Sequence, residues 1–356
     1  MSRVWDIPVQ DSTRVRDVRV AAEAACATLG LDAHATAVAA LVATELATNL
    51  VKHAKGGRIV INLVGASDTR VRDALGVQIT SLDHGPGIAD VAVALRDGYT
   101  SVSSSLGAGL GTCLRISSDF DLYSRPGRGT VAVARIGPSR PAAAPYQRPA
   151  SATGVRAGGI NASLAHAEHS GDAFGWVRSG PRVTLMLADG LGHGAKAAAA
   201  STAAVEELRR KADLEPVDLL RQLHAALRST RGAAVAVAQF DESTRRLSFA
   251  GVGNIGARLR TDDGWQHLIS HPGIVGAHFP ATVPVHRSPW RSDSLLVLHS
   301  DGLPSRWEPP RDPLSLTRDP AVVAAVILRD AGSAASPLRD DTSVAVLAPD
   351  FPDGRP

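Results

Sequence analysis

Ala188-Asp189-Gly190-Leu191-Gly192-His193-Gly194 closes an apolar run, residues 182–188, with a carboxylate set among small residues. An aspartate at the end of a strand-like run and followed by glycines reads as a turn. It is also a hard oxygen donor, placed where backbone can approach a ligand closely. Three further aspartates in this half stand in comparable places: Ser170-Gly171-Asp172, Ser300-Asp301-Gly302-Leu303 and Arg339-Asp340-Asp341-Thr342-Ser343. Each alone is a common turn. Four in this order, three of them after apolar runs, imply one shared site, with strands that point the same way gathering their ends at one rim. Clustered carboxylates repel unless cations neutralise them, and hard oxygens suit Mg²⁺ or Mn²⁺. Two such ions would activate a bridging water and stabilise a leaving phosphate oxygen. Gly190 offers a carbonyl, and Gly190 and Gly302 are expected to leave room for metal-bound waters.

Around these aspartates, strands are expected at 182–188, 233–240, 246–250, 257–260, 294–299 and 342–347. Helices are expected at 195–214, 216–229 and 320–331. Paired sheets with helices between them fit a β-sandwich flanked by helices.

The first half patterns differently. Val15, Val18, Ala22, Ala25 and Leu29 recur at helical spacing, and Gly30 closes that helix. A second helix, 33–53, follows an Asp32 cap and carries Glu45, Asn49 and His53 on one face. Strands 58–64 and 76–82, a helix at 110–118 and strands 119–124 and 130–136 complete an α/β layer pattern. The face of Glu45 and Asn49 reads equally as the solvated side of an amphipathic helix. It also reads as a carboxamide for Mg²⁺ and a carboxylate one turn away to take a proton from a hydroxyl. Asp83-His84-Gly85-Pro86-Gly87 ends a strand with an acceptor for an exocyclic amine and two glycines that admit a ligand. Gly107-Ala108-Gly109-Leu110-Gly111 opens a helix whose amides can hold phosphate. It is neither a dinucleotide fingerprint nor a P-loop.

At 356 residues, the chain favours two domains. Lys+Arg number 38 against 35 Asp+Glu, and aromatics are 4%, so the net charge of +3 is interspersed and carries no nucleic-acid signal. Cys26 and Cys113 have no metal-ligand spacing and read as small buried residues in a reducing compartment. No apolar run suggests a membrane span and no secretory leader is visible, so no membrane is expected and the cytoplasm is the expected location. Pro138, Pro141, Pro145 and Pro149 punctuate a stretch without apolar periodicity. Domains are therefore expected at 1–137 and 156–350, joined by a Pro/Ala-rich linker at 138–155.

In their order, Glu45…Asn49, Asp83-x-Gly85-x-Gly87, the 107–111 glycine box and Gly129-Thr130 resemble the GHKL ATPase/kinase superfamily. With Asp97-Gly98-Tyr99-Thr100-Ser101 and Leu106, the nearest subgroup is the RsbT-like serine/threonine kinases of sigma-factor partner switching. The resemblance implies a Bergerat α/β sandwich binding ATP and Mg²⁺. Glu45 would be the catalytic base and Asn49 would hold Mg²⁺. Asp83, Gly85, Gly87, Gly107, Gly109, Gly111 and Thr130 would bind ATP. His53 is left as a structural or supporting residue. The second half resembles the type 2C-like (PPM) metal-dependent phosphatases, in the SpoIIE/RsbX branch. That resemblance implies two Mg²⁺ or Mn²⁺, with Asp189 bridging them, Gly190 binding through its carbonyl, and Asp172, Asp301 and Asp340 completing the shell. Asp341 is the lesser ligand of its pair, and the matching stretch Ala250-Gly251-Val252-Gly253-Asn254 has no catalytic role.

Together the resemblances imply a two-domain α+β regulator. One domain phosphorylates Ser/Thr of a STAS-domain anti-anti-sigma or stressosome protein, and the other removes such a phosphate. A sigma factor or a downstream phosphatase is a further candidate partner. The alternative keeps the first domain as an ATP-dependent binding module, with only the phosphatase catalytic.

Overall fold

The structure, a computed structural model, describes residues 3–65, 75–96, 109–138, 154–164, 167–332 and 340–350. Gly107, the 97–101 motif, the serine-rich 101–105 stretch and most of the expected linker lie outside the described residues. The rest falls into two compact units, one built on Trp5–Val64 and Ala74–Arg148, the other mainly on Pro149–Asp353.

The first unit runs β1 (Val4–Val9), α1 (Thr13–Leu29), α2 (Ala33–His53), β2 (Gly57–Val64), β3 (Gly76–Leu82), a short α3 (Val91–Ala94), α4 (Gly109–Ile116), β4 (Asp119–Arg125) and β5 (Gly129–Ile136). Its sheet has the order β1-β2-β3-β5-β4. Gly30 ends α1 in the left-handed region, φ 64°, with its amide on Ala27 O. The Asp32 side chain caps α2 by accepting from Ala35 N at 2.8 Å. Val42, Leu46 and Leu50 of α2 pack on Ile59, Ile61 and Ile79 of the sheet. Each such buried side chain contributes roughly 1.5–3 kcal/mol. Contrary to the sequence expectation, α2 is long and apolar enough to cross a membrane by length and composition. Its apolar side nevertheless lies in this core.

The second unit runs β6 (Val155–Ala162), β7 (Asp172–Ser179), β8 (Arg182–Gly190), α5 (Ala195–Arg210), α6 (Pro216–Ala226), β9 (Ala233–Asp241), β10 (Arg246–Val252), β11 (Gly256–Thr261), β12 (Gly264–Leu268), β13 (His286–Pro289), β14 (Leu295–His299), α7 (Pro313–Leu316), α8 (Pro320–Ala331) and β15 (Thr342–Pro349). Two five-stranded sheets, β13-β10-β9-β8-β7 and β12-β11-β14-β15-β6, form the sandwich. Leu185, Leu187 and Phe249 of one sheet meet Leu259, Leu298 and Leu347 of the other in the inner core. On the far side of the first sheet, Leu208 of α5 and Leu219 and Leu223 of α6 pack on Met186, Val235 and Val237. The outer helix α8 is buried from Pro320 through Arg329 and packs on β6 and β15.

The flanked sandwich is as expected, but the expected helix at 195–214 stops at Arg210, where Lys211 leaves helical geometry. The expected parallel gathering of strand ends is corrected. Neighbouring strands pair antiparallel, as in β7 with β8 and β14 with β15. The aspartates still reach one rim because Asp172 and Asp340 precede or begin strands, whereas Asp189 and Asp301 end or follow them.

Candidate functional sites

In the first unit, a cavity of about 290 Å³ opens between α2, the end of β3 and the start of α4. Glu45, Asn49 and His53 line it from α2, and Asp83, Gly87 and Thr130 from the sheet side. Gly109 closes the remaining side. Asp83 is fixed by its neighbours: Oδ1 accepts from Gly85 N at 2.8 Å and Thr130 N at 3.0 Å. Its own amide donates to Thr130 O at 3.0 Å. Thr130 thus positions Asp83 through its backbone, while its hydroxyl sits 2.8 Å from Ser124 Oγ.

The glycines here are steric requirements. A Cβ on Gly87 would stand 1.9 Å from Arg125 O, and one on Gly85 would stand 2.7 Å from Ala54 Cα. A Cβ on Gly109 would meet Glu45 Oε2 at 2.9 Å, so backbone alone fits against that carboxylate. Gly85 and Gly111 do not line the cavity; Gly111 is buried within α4. The Asn49 Nδ2 atom is buried and finds no partner among the described residues. A buried donor so placed fits an acceptor oxygen of a bound ligand, such as a nucleotide phosphate, better than it fits a closed core. Burial, and then the Glu45 carboxylate, push the Cys113 thiol up to about 12, so this cysteine is an inert core residue as the sequence suggests.

In the second unit, a cavity of about 720 Å³ is lined by Asp172, Asp189, Asp301, Asp340 and Asp341. Asp172 and Asp189 face each other across β7 and β8. Burial, then the Asp189 charge, hold the Asp172 carboxyl well above the ordinary range. Burial, then Asp301, Asp340 and Asp341, push Asp189 up to about 7. Asp301 is raised by burial and then by Asp340. These are hard oxygen donors under mutual repulsion, and the set fits divalent cations.

The described side chains do not already close around a point as a three-residue ligand group. Hydrogen bonds explain part of this. Asp341 accepts from Leu164 N at 2.7 Å and Gly171 N at 2.6 Å, so both its oxygens tie loops together. Asp340 Oδ1 accepts from Asp341 N at 2.8 Å. Asp301 Oδ2 accepts from Asn254 Nδ2 at 2.7 Å. Asn254 also lines the cavity, and sequence reasoning gave it no role there. Its only signal was the Gly251-Val252-Gly253-Asn254 pattern, in which Gly253 takes φ 107° and a Cβ would stand 2.4 Å from Ala234 Cβ.

Gly190 and Gly302 act differently from expectation. A Cβ on Gly190 would stand 2.1 Å from Ala197 O, and one on Gly302 would stand 2.2 Å from Asp341 O. Both glycines therefore let backbone pack on backbone rather than leaving space for water. Gly190 itself does not line the cavity, whereas His193 does, as an exposed residue.

An α/β sandwich whose cavity is lined by Glu45, Asn49 and Asp83, and a β-sandwich with a rim of carboxylates, make up a two-domain protein of mixed α/β class. Residues 9–136 match the family model of the histidine kinase-like ATPase domain, and residues 179–349 match that of stage II sporulation protein E. The chain therefore carries a GHKL-type ATPase domain followed by a SpoIIE-type, PP2C-like domain. A segment of 87 residues is 39% identical to the serine/threonine-protein kinase RsbT of Bacillus subtilis (strain 168), covering 24% of this chain and 61% of that protein. Among solved structures, a protein of the bacterial stressosome, a system adapted to control secondary messenger signalling, aligns at 26% identity and TM-score 0.48 over 54% of this chain and 98% of that one. RsbX in complex with magnesium aligns at 18% identity and TM-score 0.45, over 54% of this chain and 94% of that one.

Proposed function

We propose that the protein is a cytoplasmic regulator of partner switching with opposed activities. The first domain phosphorylates a Ser or Thr of a STAS-domain protein with ATP. The second hydrolyses that phosphate, or one on a related partner, with divalent cations. The observation that carries the reading is the gathering of five carboxylates in one cavity of a chain that also holds Asp83, Asn49 and Glu45 around another. The domain boundaries 1–137 and 156–350 belong to this proposal.

In the first domain, Asp83, oriented by two backbone amides, accepts from the adenine amine. Asn49 and the amides at the start of α4 would hold the phosphates and their Mg²⁺. Glu45 takes the proton of the attacking hydroxyl as its oxygen bonds to the γ-phosphorus and the bond to ADP breaks. In the second domain, Asp172, Asp189, Asp301 and Asp340 would hold Mg²⁺ or Mn²⁺, with Asp189 central. Bound there, such cations supply a nucleophilic water at neutral pH and offset the charge of the phosphate. Asn254 keeps the Asp301 carboxylate turned into the cavity, and Asp341 ties Gly171 and Leu164 beside it.

The test combines purified full-length protein, ATP, Mg²⁺ and a STAS-domain partner. Asp189→Ala should raise the steady-state phosphopartner severalfold, and Glu45→Ala should abolish it. No rise in Asp189→Ala would end the opposed-activity reading.

A further inference from the structure

The second cavity poses an electrostatic problem that its carboxylates do not solve. A phosphorylated side chain arrives as a dianion at a rim of five aspartates. Cations bound by those aspartates answer part of it. A fixed positive group that meets the outer phosphate oxygens would answer the rest.

Arg231 is not part of the cavity lining but stands directly beside it. Its Nη1 lies 2.9 Å from the point that a Cβ on Gly192 would occupy, and Gly192 lines the cavity. Gly192 takes φ 85°, a backbone conformation that disfavours any side chain opposite the guanidinium.

The turn that presents Arg231 is pinned on both sides. Thr230 Oγ1 donates to Leu227 O at 2.7 Å and accepts from Gly232 N at 3.0 Å. Gly232 takes φ 83°, and a Cβ there would stand 2.7 Å from Val275 O. The carbonyl of Gly232 accepts from Leu191 N at 3.0 Å, tying this turn to the loop that follows Asp189. The turn that carries the arginine is thus bonded to the loop that follows the central aspartate, which itself ends strand β8. Arg231 is exposed, and among the described residues no ion pair or hydrogen bond engages its guanidinium. An arginine that serves only solubility needs neither a pinned turn nor a bare glycine facing it.

We propose that Arg231 anchors the substrate phosphate, donating from its guanidinium to non-bridging oxygens while the carboxylates and their cations hold the opposite side. The proposal rests on the phosphatase reading of the second domain.

The test uses full-length protein in Mg²⁺ with inorganic phosphate as the probe, measured by calorimetry and by inhibition of phosphopeptide hydrolysis. Arg231→Gln should weaken phosphate binding about tenfold, the lower range for a charged hydrogen bond. It should raise KM for the phosphopeptide more than it lowers kcat. Arg231→Lys, which keeps the charge without the fork, should recover part of the phosphate affinity. Mg²⁺ affinity, titrated separately, should stay within a few-fold of wild type. Phosphate affinity within twofold of wild type in Arg231→Gln overturns the proposal. So does a parallel loss of Mg²⁺ and phosphate binding, which would make Arg231 a support for the loop. If wild type hydrolyses no phosphopeptide yet its phosphate affinity still depends on Arg231, the phosphatase reading fails and the anchor stands.

Discussion

His299 shows how closely one residue beside the acidic rim is specified. Its Nδ1 donates to Ser300 O at 2.9 Å, which leaves Nε2 to accept from Trp307 Nε1 at 3.1 Å. Only the neutral ring can make both bonds, because imidazolium has no acceptor. Burial, the largest cause, pushes its pKa down from 6.5 to about 4. A histidine depressed on folding contributes stability above its unfolded pKa, and that stability is lost as the pH falls through the folded value. The window is therefore pH 6.5 down to about 4, and the loss approaches ~3 kcal/mol. In urea unfolding at pH 7.5 and 4.5, His299→Gln should show a shallower pH dependence than wild type; equal slopes would remove the argument. Four of the five aspartates of the rim were legible in the sequence as ligand candidates because turn chemistry marks them locally, with glycines beside Asp172, Asp189 and Asp301. Asn254 and Arg231 were not, because what gives them meaning is across the fold: Asn254 meets Asp301 over 47 residues of chain.

At the scale of elements, legibility followed apolar content. β8, β9, β14 and β15 are nearly continuous apolar runs buried on both faces, and the sequence shows them directly. β6, with the sequence VRAGGINA, hides behind two glycines. Those glycines are packing devices: a Cβ on Gly158 would stand 2.9 Å from Ala321 N of α8, and one on Gly159 would stand 2.6 Å from Val344 O of β15. β12 and β13 are short edge strands with mostly exposed or half-exposed residues, so they carry little pattern. The junction of β8 and α5 offers a direct test of this kind of glycine. Gly190 lies 3.0 Å by its amide from Gly171 O, and its missing side chain admits the Ala197 carbonyl. In Gly190→Ala the methyl has backbone, not a flexible side chain, in its way. Overpacking of this sort costs typically ~1–3 kcal/mol. Chemical unfolding should report that loss, and phosphatase activity should fall further than stability does, since α5 and the Asp189 loop shift together. A variant as stable and as active as wild type would mean that α5 retreats freely.

For the whole molecule, the acidic rim is a liability held by the fold for its use. Asp189 is pushed up to about 7 by burial and then by its carboxylate neighbours. A carboxyl raised this way on folding contributes stability at pH below 3.8 that is lost as the pH climbs through about 7. Above neutrality the cation-free protein therefore carries the cost in full, and a cation that binds the folded state alone should offset it. At Mg²⁺ concentrations 100-fold over its dissociation constant the gain is about 2.7 kcal/mol. The Asp189→Asn variant separates this account from a generic salt effect, because it moves two quantities in opposite directions. Removing one negative charge from the cluster should raise the stability of the cation-free protein at pH 8. Removing one hard oxygen donor from the centre of the set should shrink the increment that Mg²⁺ adds. The increment from ATP, which in the proposed function acts through Asp83 and Asn49 in the other domain, should stay as in wild type. Melting curves of wild type and Asp189→Asn in EDTA, in Mg²⁺ and in Mg²⁺ with ATP measure all three. A variant less stable than wild type in EDTA would show that Asp189 is not the strained group, and one that keeps the full Mg²⁺ increment would show that it is not the central ligand of this rim.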